Sequence, residues 1–356
     1  MKNYLLVAAL SALVMGCRPA KTEKETLLHI DLTHLFDKEV EKVPLEDWAK
    51  NVRFIPLETN DSILIKYILK VILHEDKLLV YHADRASVFD LSGRYLYDIG
   101  KLGEGPGEFA RLDDIVSSND LLYIKEKTDR IKVYDWNGKF KEVINIPNMG
   151  IRNYYPLRGT DVMVGHTPNL SGKNTNRLVF FRDTTVLAKI ENTRIYDQGK
   201  IIVVFSNEMQ ILEGIPNTFK EMFNDTIFQI RPDYTLKPYA VVDLGNYGLP
   251  ADFRYTIQPE TVGENIFKGK VNLMVTGEQK DILYMHHFLD KEIYTIYYDK
   301  KEGKVHNVSL VYPENAYEIP ENRHFVPRFI SEDNRYLINH EQPENEENPV
   351  VILVER

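Results

Sequence analysis

Apolar and polar residues alternate over short stretches along this chain, and the stretches recur. "ADRASVFDLSG" (Ala83 to Gly93) and "TDRIKVYDWNG" (Thr128 to Gly138) are the clearest pair. Each has Asp-Arg, then a period-two alternation, then a turn ending on Gly, with 45 positions between them. Alternation of that period puts one set of side chains on one face, the pattern of a half-buried strand. "DLSG" and "DWNG" fit hairpin turns, with Gly where φ is positive. The phrase returns in "TNRLVFFRDTT", "NDTIFQIRPDY", "DKEIYTIYYDK" and "NPVVILVER". With Asp84, Asp129, Asn176, Asp225, Asp290 and Asn348 as markers, the intervals are 45, 47, 49, 65 and 58. Loop insertions account for the longer ones.

Another apolar-rich run precedes each marker: "KLLVYHAD", "DLLYIKEKTD", "DVMVGHTPN", "QILEGIP", "DILYMHHFLD" and "RYLINHE". One more precedes each of those: "YILKVILHE", "LDDIVSSN", "RNYYPLRG", "IIVVFSNE", "VNLMVTGE" and "PRFISEDN". A repeat is therefore four short strands joined as a meander. Six of them predict an all-β fold, a six-bladed β-propeller of four-stranded antiparallel blades over residues 28–356. The last copy ends on its third strand, so a fourth must come from elsewhere. "VRFIPLE" (Val52 to Glu58) is expected to close the ring as that N-terminal strand. "LLHIDL" reads as an extra edge strand, and "PLEDWAKNV" as a short helix or turn with Pro near its start.

The first residues stand apart from this pattern. Met1-Lys2 precedes an apolar run, Tyr4 to Met15, whose length suits a signal-peptide core and is too short for a membrane-spanning helix. The run ends "LVMGC", with the only cysteine in the chain at Cys17. This resembles a bacterial lipobox. Residues 1–16 are expected to be removed, Cys17 to be lipidated, and residues 17–27 to tether the domain to a membrane as an outer-membrane lipoprotein of the cell envelope. Either face of that membrane fits, since no acidic run follows Cys17. A single Cys forms no intrachain disulfide. A net charge of −9 without a long basic run excludes general nucleic-acid binding.

"RFIPLETN" and "GEGPGEF" (Gly103 to Phe109), set among these repeats, resemble the six-bladed β-propeller lipoproteins of Bacteroidetes type, distant relatives of NHL-repeat propellers. The resemblance spans residues 28–356. It implies the fold and an envelope location, and it implies no particular chemistry.

The motifs with chemical content sort themselves by position. "GKLGEGPGEF" lacks the Lys-Ser/Thr ending of a phosphate-binding loop and is expected to link blades one and two, with Phe109 anchored between them. Asp84-Arg85 and Asp129-Arg130 recur at one blade position and read as structural: Asp takes turn amides, and Arg pairs with a neighbouring blade. His286 and His287 are adjacent on a strand, point to opposite faces and cannot chelate one ion together. No GxSxG nucleophile motif is present.

Two constellations remain. Lys66, Arg111, Arg152, Lys200, Lys270 and Arg328 fall one per blade, just before or within the inner strands. A ring of such cations at the channel mouth would suit a carboxylate or acidic sugar. Asn119, Asn169, Asn217, Asp281 and His324 are the residues that would stand where metal-dependent lactonase or lyase propellers carry their ligands. The function expected is a lipid-anchored binding or scaffold module for a glycan, peptide or partner protein, with no cofactor. The alternative is a hydrolase or lyase holding a divalent metal at the channel mouth.

Overall fold

The computed structural model describes residues 27–356 apart from 127–129, 198, 206, 262–265, 290–291, 315 and 346. Cys17, the signal segment and the tether up to residue 26 lie outside the described residues, as do the markers Asp129 and Asp290. Among the described residues no helix is long and apolar enough to cross a membrane.

The meanders form as their alternation requires. Blade one pairs Lys70–His74, Lys77–His82, Arg85–Asp90 and Tyr95–Asp98 in that order, and blade two pairs Leu112–Ser118, Leu121–Glu126, Arg130–Asp135 and Phe140–Asn145. Blades three, four and five begin on Asn153–Pro156, Met209–Ile211 and Asn272–Gln279, and blade six on Phe329–Ile330. The six first strands surround the axis, and apolar clusters fill the wedges between blades. Between blades one and two the buried set includes Leu79, Val88, Ile115, Ile124 and Tyr134, with Phe109 anchored there at 1% exposure.

The N-terminal segment wraps the outside of the last three blades. Leu28–Asp31 adds in parallel to the outer edge of blade four, and Glu41–Pro44 does the same for blade five. A single helical turn, Leu45–Trp48, follows Pro44. Asn51–Pro56 then pairs antiparallel with Val350–Glu355 through six consecutive residues and supplies the fourth strand of blade six. Each added strand covers an edge that would otherwise expose a row of unpaired amides and carbonyls.

The glycine that ends each repeated phrase has a role in the ring. Gly93, at φ 85°, would place a Cβ 2.0 Å from the carbonyl oxygen of Pro56, and Glu58 donates its amide to the Gly93 carbonyl at 2.8 Å. Gly138 holds the same relation to Asp98, more loosely, at 3.5 Å. The hairpin of one blade thus rests against the outer strand of the blade before it.

Two expectations are corrected. "IIVVFSNE" is not the inner strand of blade four, which is Met209–Ile211; the second strand is Thr218–Glu221. Met209 and Leu212 are the residues that enter the core, and Gln210 accepts the Val275 amide at 2.9 Å from blade five. The apolar run before them is an approach loop, with Ile202 and Val204 at 60% and 55% exposure. Arg85 also pairs within its own blade, with Nε and Nη2 at 3.0 and 2.7 Å from Asp98, and not with a neighbour.

Asn348 clamps the closure. Its buried side chain accepts the Ile65 amide at 2.6 Å and donates to the Glu58 and Ile63 carbonyls at 2.6 and 3.0 Å. Asn348→Ala leaves these groups unpaired in a buried place, at a cost of roughly 2–4 kcal/mol. The expected outcome is a lower urea midpoint with an unchanged m-value; an unchanged midpoint would remove Asn348 from this role.

Candidate functional site

A cavity of about 690 Å3 runs along the axis and is lined by residues from the inner strands of all six blades. Its charged residues enter at strand ends, where the backbone turns away from the axis. Lys70, Asp113, Asp114 and Arg328 lie at the starts of inner strands, while Arg158, Glu213 and Glu332 follow the ends of theirs. Arg328 and Arg158 therefore reach the channel from opposite ends.

The carboxylates are all engaged. Asp114 holds Lys70 at 2.7 Å, and the same ammonium donates to the Ile115 carbonyl at 2.9 Å. Asp113 pairs with Arg111 at 2.8 Å. Glu332 contacts His74, and Glu213 accepts the Ile330 amide. Lys125 donates to the Arg152 carbonyl and lies 5.1 Å from the Tyr154 ring centre. Burial pushes its ammonium below the usual lysine range. The guanidiniums of Arg158 and Arg328 differ. Neither has a hydrogen-bonded or ion-paired partner among the described residues, and Arg328 Nε is buried without one.

Glu213 sits where two blades are stitched together. Its amide donates to the Thr276 carbonyl at 3.0 Å, and its carbonyl accepts the Glu278 amide at 2.9 Å. A Cβ at Gly277 would fall 2.1 Å from the Glu213 oxygen, and one at Gly214 1.8 Å from the Glu278 oxygen, so both positions need glycine. Burial raises the Glu213 carboxyl to about 7, against the lowering effects of the Ile330 amide, Lys70 and Arg158. His286 also lines the channel, and burial, with Arg328 nearby, lowers it to about 3, so it is neutral at physiological pH. His287 points to the other side, 1% exposed and 5.0 Å from the Phe36 ring.

Of the six cations expected at the mouth, Arg328 alone lines the channel. Lys66 and Lys200 are exposed on loops leading into blades one and four, and Arg111 is exposed beside its Asp113 partner. Arg152 is exposed, and Lys270 bonds the Asn246 carbonyl at 2.8 Å. They form no ring. The five residues weighed as metal ligands are not gathered either, since none lines the channel. Asn119 and Asn217 tie their turns to blade three, accepting the amides of Gly159 and Arg158 at 3.2 and 2.8 Å. Asn169 caps the Asn174 amide at 2.8 Å, and Asp281 pairs with Lys301 at the same distance. His324 lies in a two-residue strand against Val311. Among the described residues no group of three or more His, Cys, Asp or Glu is placed to hold a metal ion. Arg158, Lys70 and Glu213 escaped the sequence reading. Their only signal is a charged residue at or just beyond the end of an inner strand, and in blade four the sequence pattern points to "IIVVFSNE" while the strand is Met209–Ile211.

Fold and channel together define a six-bladed β-propeller with a charged, ligand-sized axial cavity. The chain belongs to the family described as Domain of unknown function (DUF4934), whose model matches residues 27–355. Among solved structures it is similar to a Bacteroides fragilis NCTC 9343 protein described as exported, at 17% identity and TM-score 0.64, covering 93% of this chain and 100% of that one. KlHsv2 with loop 6CD replaced by a Gly-Ser linker aligns at 11% identity and TM-score 0.33 over 67% of this chain and 69% of that one, too distant to carry an argument. No curated protein matches this chain.

The raised Glu213 carboxyl has a consequence for stability. Its folded value of about 7 lies above the ordinary 4.5, so the folded protein holds this proton more tightly than the unfolded chain. The contribution is fully present below about 4.5 and is lost as pH rises through about 7. Glu213→Gln is expected to match the parent near the lower pH and exceed it in urea stability above the upper one. Equal stability differences at both pH values would contradict this.

Proposed function

We propose that this protein is a lipid-anchored envelope binding module that holds an acidic ligand in its central channel. One observation carries the reading. Every carboxylate of the channel has a partner, whereas two guanidiniums, Arg158 and Arg328, have none among the described residues. A half-buried guanidinium offers planar paired donors that match a carboxylate, and in a cavity screened from bulk water their attraction exceeds its value at a surface. With one at each end of the channel, the ligand class favoured is an elongated acid such as an acidic sugar or oligosaccharide.

The anchor reading rests on "LVMGC" and the lone Cys17, and a structural relative described as exported supports an envelope setting. The relation to NHL-type lipoproteins rests on the propeller repeats, with "IPLET" and "GPGEF" as its specific pieces. The tether of residues 18–27 is long enough to let the propeller stand clear of the lipid surface.

Calorimetry with glucuronate, galacturonate and trigalacturonate tests the channel, with glucose and galactose as neutral controls. The acids are expected to bind more tightly than the neutral sugars and less tightly as salt rises. Arg158→Ala and Arg328→Ala should each weaken binding by roughly ten-fold, about 1.4 kcal/mol. Indifference to both substitutions would refute the channel as the acid site. For the anchor, cells fed a labelled fatty acid should incorporate label into the parent chain and not into Cys17→Ser; label retained in the variant would end the lipoprotein reading.

A further inference from the structure

A second cavity, of about 560 Å3, opens between blades three and four and shares no lining residue with the channel. The parts of the chain that break the repeat help to build it. Asn192 to Tyr196 come from the connection after the outer strand of blade three, and Leu249 to Tyr255 from the insertion after that of blade four.

Its polar wall is fixed by ion pairs. Arg254 and Glu208 form one with both side chains 5% exposed, and Glu208 also accepts the Phe205 amide at 3.1 Å. Arg177 Nε lies 3.1 Å from both oxygens of Glu221, with a further bond from Nη2, and His166 Nε2 lies 3.5 Å from Glu221 Oε1. Burial opposes ionisation of Glu221, yet the hydrogen bonds from His166 and Arg177 hold its carboxyl down to about 2. Each buried cation is thus matched by an anion. Two nitrogens in this wall still have no partner among the described residues: Arg254 Nη1 and His166 Nδ1, in residues 4% and 5% exposed.

Flat aromatic faces stand beside these groups. Tyr196 and Tyr255 stack at 4.9 Å between ring centres and 25° between planes, and Phe228 lies 4.9 Å from the Arg177 guanidinium carbon. Planar polar groups held rigid by their own partners, with no excess charge and with aromatic faces alongside, match a polyol. Hydroxyls both donate and accept, while the C–H face of a sugar ring packs on an aromatic plane. A second acid would find the Arg177 and Arg254 guanidiniums already paired with Glu221 and Glu208, and a hydrocarbon would strand the polar wall without partners.

We infer that this cavity binds a neutral saccharide, independently of the acidic ligand assigned to the channel. Saturation-transfer NMR and calorimetry on the full chain test it, with methyl glycosides of glucose, galactose, mannose and xylose, and with cellobiose and lactose, as probes. At least one should bind. Ala251→Trp fills the cavity while keeping its ion pairs, and should weaken that binding by at least roughly ten-fold. Tyr196→Ala should weaken it as well, and Arg158→Ala should leave it unchanged. The inference fails if no probe binds, or if binding survives Ala251→Trp in protein of native circular dichroism. It fails equally if Arg158→Ala abolishes binding, which would put the sugar in the channel.

Discussion

Everything in this ring depends on the pairing of Asn51–Pro56 with Val350–Glu355. A propeller blade buries its two faces only against neighbours, so an open ring would leave the first and last blades each with an apolar face in water. The chain joins its ends with a strand, and buried groups lock the join. Ile55 and Leu57 enter the same apolar cluster as Val71, Phe89 and Val351, which spans blades six and one. Asn348 ties that cluster to the loop ahead of blade one. The closure also reaches the channel. Ile330, on the last inner strand, donates its amide to Glu213 from blade four. A ring that closed out of register would remove a hydrogen bond from a carboxyl that burial already disfavours as an anion.

Much of this fold was legible in the chain because propeller repeats are local. The alternation, the hairpin glycines and the spacing of Asp84, Asp225 and Asn348 each report a neighbour a few residues away or one blade back. Even the closing strand was legible, since "VRFIPLE" has strand character and no partner in the blade that follows it. Blade four was misplaced for an equally physical reason. "IIVVF" has the apolar character of a strand, but Ile202 and Val204 point to solvent, and Phe205 packs on Phe223 at 5.4 Å. Periodicity identifies apolar runs without telling which of them reaches the axis.

The channel was less legible because axial position depends on which side of a short strand a residue falls. Lys66 and Lys70 are four residues apart, and only Lys70 enters the cavity. One cation per blade near an inner strand follows from composition more than from geometry. The property that distinguishes Arg158 and Arg328 is also invisible in sequence: their neighbours' carboxylates are already committed. Charge content counts ionised groups, whereas the field a ligand meets is set by the groups left unpaired.

The two cavities use the same residue types to opposite effect, and the difference follows from how regular the surrounding blades are. The channel is built from strand ends repeated six times, so its charges come from separate blades, and among the described residues the guanidiniums of Arg158 and Arg328 are left without a partner. The cavity between blades three and four is built from connections longer than the repeat requires, and those loops carry partners in with them. Arg254 arrives on the insertion after blade four and meets Glu208 on the approach to the same blade. A buried pair of that kind adds little net stability, because desolvation offsets most of the attraction. What it does is hold two planar groups at one orientation in the cavity wall. The irregular intervals of 49 and 65 residues therefore mark more than tolerated loops. They mark the place where a regular scaffold was extended to shape a surface that repetition alone does not produce.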